Sequence, residues 1–174
     1  MALDVGRVDI LLEVSLLFSN LEFPITRNLQ AVYRLFVYLK QAPQRQLYFN
    51  QEHPDISEDQ FHKLDWEYYY RDAAEAIPLD MPLPRSKTMT SHCFVDANHA
   101  GYKATIISMT GTLIFFNRAP IIWHAKRQNE VETYTFGSEF TAMKNADEFI
   151  AALRYKLRMF RVTINGTTNM FCDN

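Results

Sequence analysis

The sequence predicts a mixed α/β domain: a sheet covered by one long helix and preceded by a small helical segment. Three observations predict it. Residues 91–97, 110–116 and 120–126 are short runs rich in aromatic and β-branched side chains, a composition that suits strands. From about Phe136 onward, Glu139, Met143, Ala146, Ile150, Leu153 and Leu157 fall on one face of a helix by the 3.6-residue period. The last two strands read apolar almost throughout, so one face of their sheet must be covered, and that helix is the cover at hand.

Taken in order, residues 4–18 read as a first helix, with Val8, Leu11, Leu12, Ser15 and Leu16 in a rough stripe, punctuated by Asn20 and Pro24. A second helix runs from about Leu29 to Gln41, where Leu29, Val32, Tyr33, Phe36, Val37 and Lys40 keep helical spacing until Pro43 ends it. Gln46-Leu47-Tyr48-Phe49 reads as one short strand. From Gln51 to Thr90 the chain is irregular and proline-rich, with a short helix expected around residues 60–74. Trp66 and Tyr68-Tyr69-Tyr70 admit two roles, a base-stacking platform or an aromatic patch clamped on the neighbouring domain. Pro78 to Pro84 reads as an extended linker, with the domain boundary near Pro84.

Beyond it, the strand at 91–97 is followed by a turn at His99-Ala100-Gly101. Thr110 to Phe116 and Pro120 to Lys126 pair as a hairpin across Asn117-Arg118-Ala119. Thr135 is the N-cap candidate of the long helix. Asn165-Gly166 is a turn, and Thr168 to Cys172 is the last strand, with Asp173 at its end.

A chain of 174 residues that is 48% hydrophobic has enough apolar material for a core, which excludes disorder as the default. A net charge of −2 gives no global attraction to nucleic acid, so such contact must come from local basic patches. Arg154, Arg158 and Arg161, at i, i+4 and i+7, are one such patch. They read either as phosphate contacts or as a solvated basic face near a helix C-terminus, which the helix dipole favours. Two cysteines suit an intracellular protein, cytoplasmic or nuclear, with free thiols. Cys93 and Cys172 each stand an odd number of residues from the nearby aspartate, so regular strands turn both thiols away from the carboxylate face. The apolar run from Ile10 to Phe18 is too short to span a membrane and carries Glu13, so no membrane partner is expected.

The chemistry-bearing residues are carboxylates. Asp96 stands on a strand, Glu139 heads the apolar stripe of the long helix, and Asp173 stands at a strand end. An ordinary amphipathic helix places such a Glu on its solvent side; here the period points it at the edge of the sheet, where Asp96 sits. Like charges brought close cannot all ionise unaided, and hard divalent ions with oxygen ligands are the usual remedy.

The same stretches carry a family resemblance. The words Val95-Asp96-Ala97-x-x-Ala100-Gly101, Asn117-x-Ala119-Pro120-Ile121-x-Trp123, Val131-Glu132-Thr133-x-Thr135-Phe136-Gly137-Ser138-Glu139-Phe140, Leu153-Arg154-Tyr155-Lys156-Leu157-Arg158-Met159-Phe160 and Cys172-Asp173-Asn174 occur in that order. Together they resemble the ribonuclease H domain of a copia-type retrotransposon polyprotein. Gly6 to Leu11 and Leu29 to Lys40 resemble the end of the reverse transcriptase and its joining segment, so the resemblance covers nearly the whole chain. It implies a mainly helical reverse-transcriptase tail over residues 1–50, a linker over 51–90, and a ribonuclease H-like domain over 91–174. The implied fold is a mixed sheet with a covering helix, its final strand parallel to the first and beside it. The implied chemistry is hydrolysis of RNA in an RNA–DNA hybrid by Mg²⁺ or Mn²⁺, with Asp96 bridging two ions and Glu139 and Asp173 flanking them. The implied partners are the hybrid or other nucleic acid and the remainder of the polyprotein.

The sequence also departs from the family. The fourth acidic ligand comes from a later segment, whereas this sequence stops at Asn174, so the domain is expected to be incomplete at its C-terminus. Asn98 replaces the second Asp of the Asp-Ala-Asp word, Ile106-Ile107 replace two arginines, and Tyr134 replaces a Ser. Two readings follow. One is a metal-dependent nuclease; the other is a non-catalytic remnant that at most binds nucleic acid or a partner, which the departures favour for the isolated chain.

Overall fold

The computed structural model describes residues 7–21, 24–56, 66–71, 75–102, 107–164 and 166–172. Helix α1 (Leu11–Phe18) follows a single 3-10 turn at Val8–Ile10, so the first helix begins later than expected; residues 4–6 lie outside the described ones. Helix α2 (Thr26–Gln41) starts ahead of the expected Leu29, directly after the extended backbone of Ile25. Its apolar stripe is present but faces no core: Leu29, Tyr33, Phe36 and Val37 are exposed. Side chains tie α2 to the segment ahead of α1. The Tyr38 hydroxyl donates to Asp9 Oδ2 at 2.6 Å, and Arg7 pairs with Asp9 at 3.0 Å.

The strand expected at residues 46–49 does not form. Among the described residues no strand pairs with it, and Tyr48 and Phe49 lie exposed. Of the helix expected over 60–74, the described part is α3 (Trp66–Tyr70); residues 57–65 and 72–74 lie outside the described ones. The Pro78–Pro84 segment is not extended throughout, because the Met81 N–H closes a turn on the Pro78 carbonyl at 3.2 Å. Just after it, the Arg85 N–H bonds the Arg161 carbonyl at 2.8 Å, and strand β1 (Thr88–Met89) begins a small sheet.

The main sheet contains β2 (Ser91–Tyr102), β3 (Ile107–Phe116), β4 (Ala119–Arg127) and β6 (Asn169–Phe171), in the order β4-β3-β2-β6. The pairs β2–β3 and β3–β4 are antiparallel, and β6 lies parallel to β2 with Phe94 opposite Phe171. This is the mixed sheet expected from the sequence, a meander with a parallel strand added beside its first member. A short strand β5 (Thr163–Ile164) pairs in parallel with β1.

Two local differences have physical causes. The turn expected at His99-Ala100-Gly101 is strand, because β2 continues to Tyr102, opposite Ile107 of β3. The hairpin loop is Asn117-Arg118 alone, and Asn117 takes the left-handed conformation (φ 52°) that Asn tolerates. Asn117 is buried and ties three segments together: its N–H bonds the Thr90 carbonyl at 2.9 Å, its Oδ1 accepts the Thr90 N–H at 3.1 Å, and its Nδ2 donates to the Gln51 carbonyl at 3.0 Å. Pro120 is accommodated by a register shift between Ile114 and Phe115.

Helix α4 (Thr135–Met159) covers one face of this sheet. Thr135 is its first helical residue rather than the N-cap; Tyr134 holds the cap position without a side-chain bond. The core joins Cys93, Val95 and Ala97 of β2 and Ile114 and Phe116 of β3 to Ala142, Ala146 and Ile150 of α4. Leu153 and Leu157 pack against it, but Met143 is exposed and Ala142 takes its place. A small side chain lets the helix axis come close to the strands. Ala142→Leu should therefore overpack the interface and destabilise the protein by about 1–3 kcal/mol. Met143→Leu should change stability by less than about 0.5 kcal/mol. Urea unfolding of the two variants beside wild type checks this assignment of the helix face.

Candidate functional site

Strand alternation places the first carboxylate. Val95 and Ala97 point into the core beneath α4, so Asp96 points to the other face, where it is exposed. It faces Gly111 of β3 across the ladder. On that face an apolar cleft of about 570 Å³ opens between the sheet and the 8–12 segment, lined by Val8, Leu11 and Leu12 on one side and by Phe94, Asp96 and Trp123 on the other. Ser15 of α1 anchors the roof by donating to the Ala125 carbonyl at 3.1 Å.

Glu139 approaches from the α4 side. It is 5% exposed, as the helical period required, at the head of the face that packs on the sheet. Among the described residues, its carboxylate accepts one hydrogen bond, from the Cys172 thiol at 3.4 Å. Cys172 also lines the cleft with Asp96, whose side chain points to the face of the sheet away from α4 and Glu139. The third carboxylate, Asp173, lies outside the described residues.

Among the described residues neither cysteine forms a disulfide. Cys93 is fully buried in the α4 interface, and burial pushes its thiol up to about 11. Its orientation, away from Asp96, is the one the odd spacing demanded. His92, also buried, is held below its ordinary value by loss of solvation.

The approach to Glu139 is built from polar side chains that the sequence did not flag. Gln128 follows the end of β4 and is buried; its Nε2 donates to Thr110 Oγ1 at 3.0 Å and to the Ser138 carbonyl at 2.8 Å. Ser138 Oγ in turn donates to the Thr135 carbonyl at 2.7 Å. Glu132 lies against Gly137 so closely that a Cβ there would collide with its side chain. That places a negative charge by the N-terminus of α4, where the helix dipole favours it.

The arginine patch is not arranged as the spacing suggested. Helix α4 ends at Met159, and Arg161 lies beyond it in a left-handed conformation (φ 63°), so the three do not share one helix face. Arg154 is buried; it donates to Glu75 Oε2 at 2.9 Å, Thr168 Oγ1 at 3.1 Å and the Gly166 carbonyl at 2.9 Å. Arg158 pairs with the same Glu75 carboxylate. Neither is a freely solvated cation. No sequence signal joins Glu75 to residues some 80 positions away.

The fold places the chain in the mixed α/β class, with a helix packed on a mixed sheet. Comparison with known proteins adds relatives. Over 168 residues, 97% of this chain but 9% of the relative, it is 21% identical to the Retrovirus-related Pol polyprotein from transposon RE1 of Arabidopsis thaliana. Over 92 residues, 53% of this chain and 6% of the relative, it is 23% identical to the Retrovirus-related Pol polyprotein from transposon RE2 of the same plant. The chain thus spans less than a tenth of the length of these relatives. No protein-family model and no solved structure matches it. Among the described residues, no helix is long and apolar enough to cross a membrane.

The Glu75 cluster gives a pH dependence with a definite sign. Hydrogen bonds from Arg158, then Arg154, outweigh burial and pull the Glu75 carboxyl from 4.5 down to about 2. A depressed folded-state value means the pairing stabilises the folded chain fully above the ordinary carboxyl value and is lost as pH falls toward about 2. Wild type should therefore be more stable than Glu75→Gln at pH 6, and the gap should close between pH 4.5 and 2. Urea midpoints of both proteins across that range measure it.

Proposed function

We propose that this chain is a segment of a copia-type retrotransposon Pol polyprotein, and that residues 91–174 form a ribonuclease H-like domain whose chemistry is metal-dependent hydrolysis of RNA in RNA–DNA hybrids. Residues 1–50 are then a reverse-transcriptase tail, and 51–90 join it to that domain. Similarity to two transposon Pol polyproteins and the β4-β3-β2-β6 order with a parallel last strand support the lineage.

The observation that carries the chemistry is Glu139. A carboxylate 5% exposed at the head of the packed helix face, held among the described residues by a thiol, is poorly compensated, because thiols are weak donors. Asp96 is exposed at the cleft reached by the same thiol residue. Two oxygen donors of this kind fit a hard divalent cation. In this reading Asp96, Glu139 and Asp173 hold Mg²⁺ or Mn²⁺. The parallel register is consistent with it, since Asp96 and Asp173 stand equally far, two residues, past the Phe94–Phe171 pair. Bound ions would supply an activated water and stabilise the leaving oxygen. The chain's own part is to hold these carboxylates at the sheet's end and to keep Glu139 dry on the α4 side.

A second reading, a non-catalytic domain, is favoured by one observation: Glu75 already occupies Arg154 and Arg158, which removes cationic surface a hybrid would use. Both readings are tested together. Mn²⁺ should bind to wild type and be reduced to background by Asp96→Asn and by Glu139→Gln, as read by calorimetry. A hybrid labelled on its RNA strand, incubated with Mg²⁺ and with Mn²⁺, then separates them. Cleavage lost in Asp96→Asn establishes the nuclease; metal binding without cleavage establishes the non-catalytic domain; no metal binding overturns the carboxylate assignment.

A further inference from the structure

The geometry points to Gln128 as a positioning residue that sets the distance between the strand carrying Asp96 and the helix carrying Glu139. This rests on the carboxylate reading above and extends it to a side chain which that reading does not use.

Gln128 lies just past β4 and is 4% exposed. Its backbone N–H bonds the Ser108 carbonyl of β3 at 2.8 Å, which fixes where the side chain starts. The side-chain Nε2 then divides its donors between two elements. One bond runs to Thr110 Oγ1 at 3.0 Å; Thr110 faces Ala97 of β2, the residue next to Asp96. The other runs to the Ser138 carbonyl at 2.8 Å; Ser138 is the residue before Glu139 and is itself fully buried. One amide group thus spans from the strand beside Asp96 to the peptide that carries Glu139. The core contacts between α4 and the sheet are apolar and fix no such distance, because apolar packing is not directional; the other polar links, Cys172 to Glu139 and Arg154 to Thr168, reach α4 from either end of β6 and not from the strand beside Asp96.

A second observation argues against Gln128 being only a filler. Its Oε1 is buried and has no partner among the described residues. A buried amide with one end unsatisfied is less favourable than an apolar residue of the same shape. Stability alone would therefore select Met or Leu at this position. Keeping the amide is explained by what its nitrogen holds.

The test uses two near-isosteric variants. Gln128→Met removes both side-chain donors while keeping length. Thr110→Val removes the acceptor on the sheet side and leaves Gln128 in place, so one variant remains if the other fails to fold. Two quantities are measured on each folded protein: Mn²⁺ affinity, and NMR relaxation of the Glu139 γ-methylene without metal. Supports of metal-binding side chains typically cost tenfold or more in affinity when removed, so Gln128→Met should weaken Mn²⁺ binding by about tenfold. It should also increase the motion of Glu139, and Thr110→Val should move both in the same direction by less. A merely structural role would lower the unfolding midpoint but leave the affinity and Glu139 order of the folded molecules at wild-type values; that result overturns the inference. If wild type binds no Mn²⁺, the carboxylate reading fails by itself, and Gln128 is judged on the relaxation of Glu139 alone.

Discussion

Close approach of α4 to β2 is the constraint on which the rest depends. The contact is made by alanines: Ala142 and Ala146 meet Cys93, Val95 and Ala97, with Ile150 completing the row. Small residues on both sides let a 25-residue helix lie close along the sheet. Its length then does the positioning. Glu139 and Arg154 are 15 residues apart on the buried side, a span on the order of 20 Å at the rise of an α-helix. One end of the helix therefore meets the cleft end of the sheet, and the other meets the Glu75 segment. The polar chemistry is kept apart because the apolar middle is packed between its two ends.

The opposite face of the sheet is built on another principle. There His92 stacks on Phe115 with centroids 5.0 Å apart, and Phe94 stacks on Phe171 at the same separation. Phe94 and Phe115 meet edge to face at 5.8 Å. Cross-strand aromatic pairs of this kind stabilise a sheet without a covering helix. Phe94 and Phe171 of this set also line the cleft, which the 8–12 segment covers from the other side. Asp96 sits between this aromatic set and that roof, so its carboxylate is accessible while the residues on either side of it in the strand are buried.

How far this was legible in the sequence differs from element to element, for physical reasons. The hairpin and α4 come from periodicity and turn chemistry, which act over neighbouring residues, whereas the parallel pairing of the last strand was implied by the family resemblance. The burial of Glu139 was also legible, because a charge that heads an apolar stripe breaks the pattern locally. Three features were not. The strand proposed at residues 46–49 has the right composition but no partner among the described residues, and pairing is a long-range fact. The β1–β5 pair is two residues long and invisible to any periodicity. Arg154 reads as a surface cation from its spacing, yet it is buried, because Glu75, Thr168 and Gly166 converge on it from segments far away in the chain. Charged side chains enter a core when partners come to meet them, and sequence spacing shows only one side of that meeting.

The buried polar groups of α4 can be compared on the same terms. Ser138 is fully enclosed but donates to the Thr135 carbonyl, so its hydroxyl is provided for. Arg154 has a carboxylate, a hydroxyl and a carbonyl as acceptors. Glu139 is as deeply buried as either of them in practical terms, yet what reaches it from the described residues is a thiol. Folding alone gives no reason for that inequality, since an apolar residue at position 139 would pack on the sheet without a desolvation cost. Positions where local rules are broken without compensation are where function is expected to lie. On that argument Glu139, rather than the more accessible Asp96 or the more numerous arginines, is the residue on which the proposed metal site most depends.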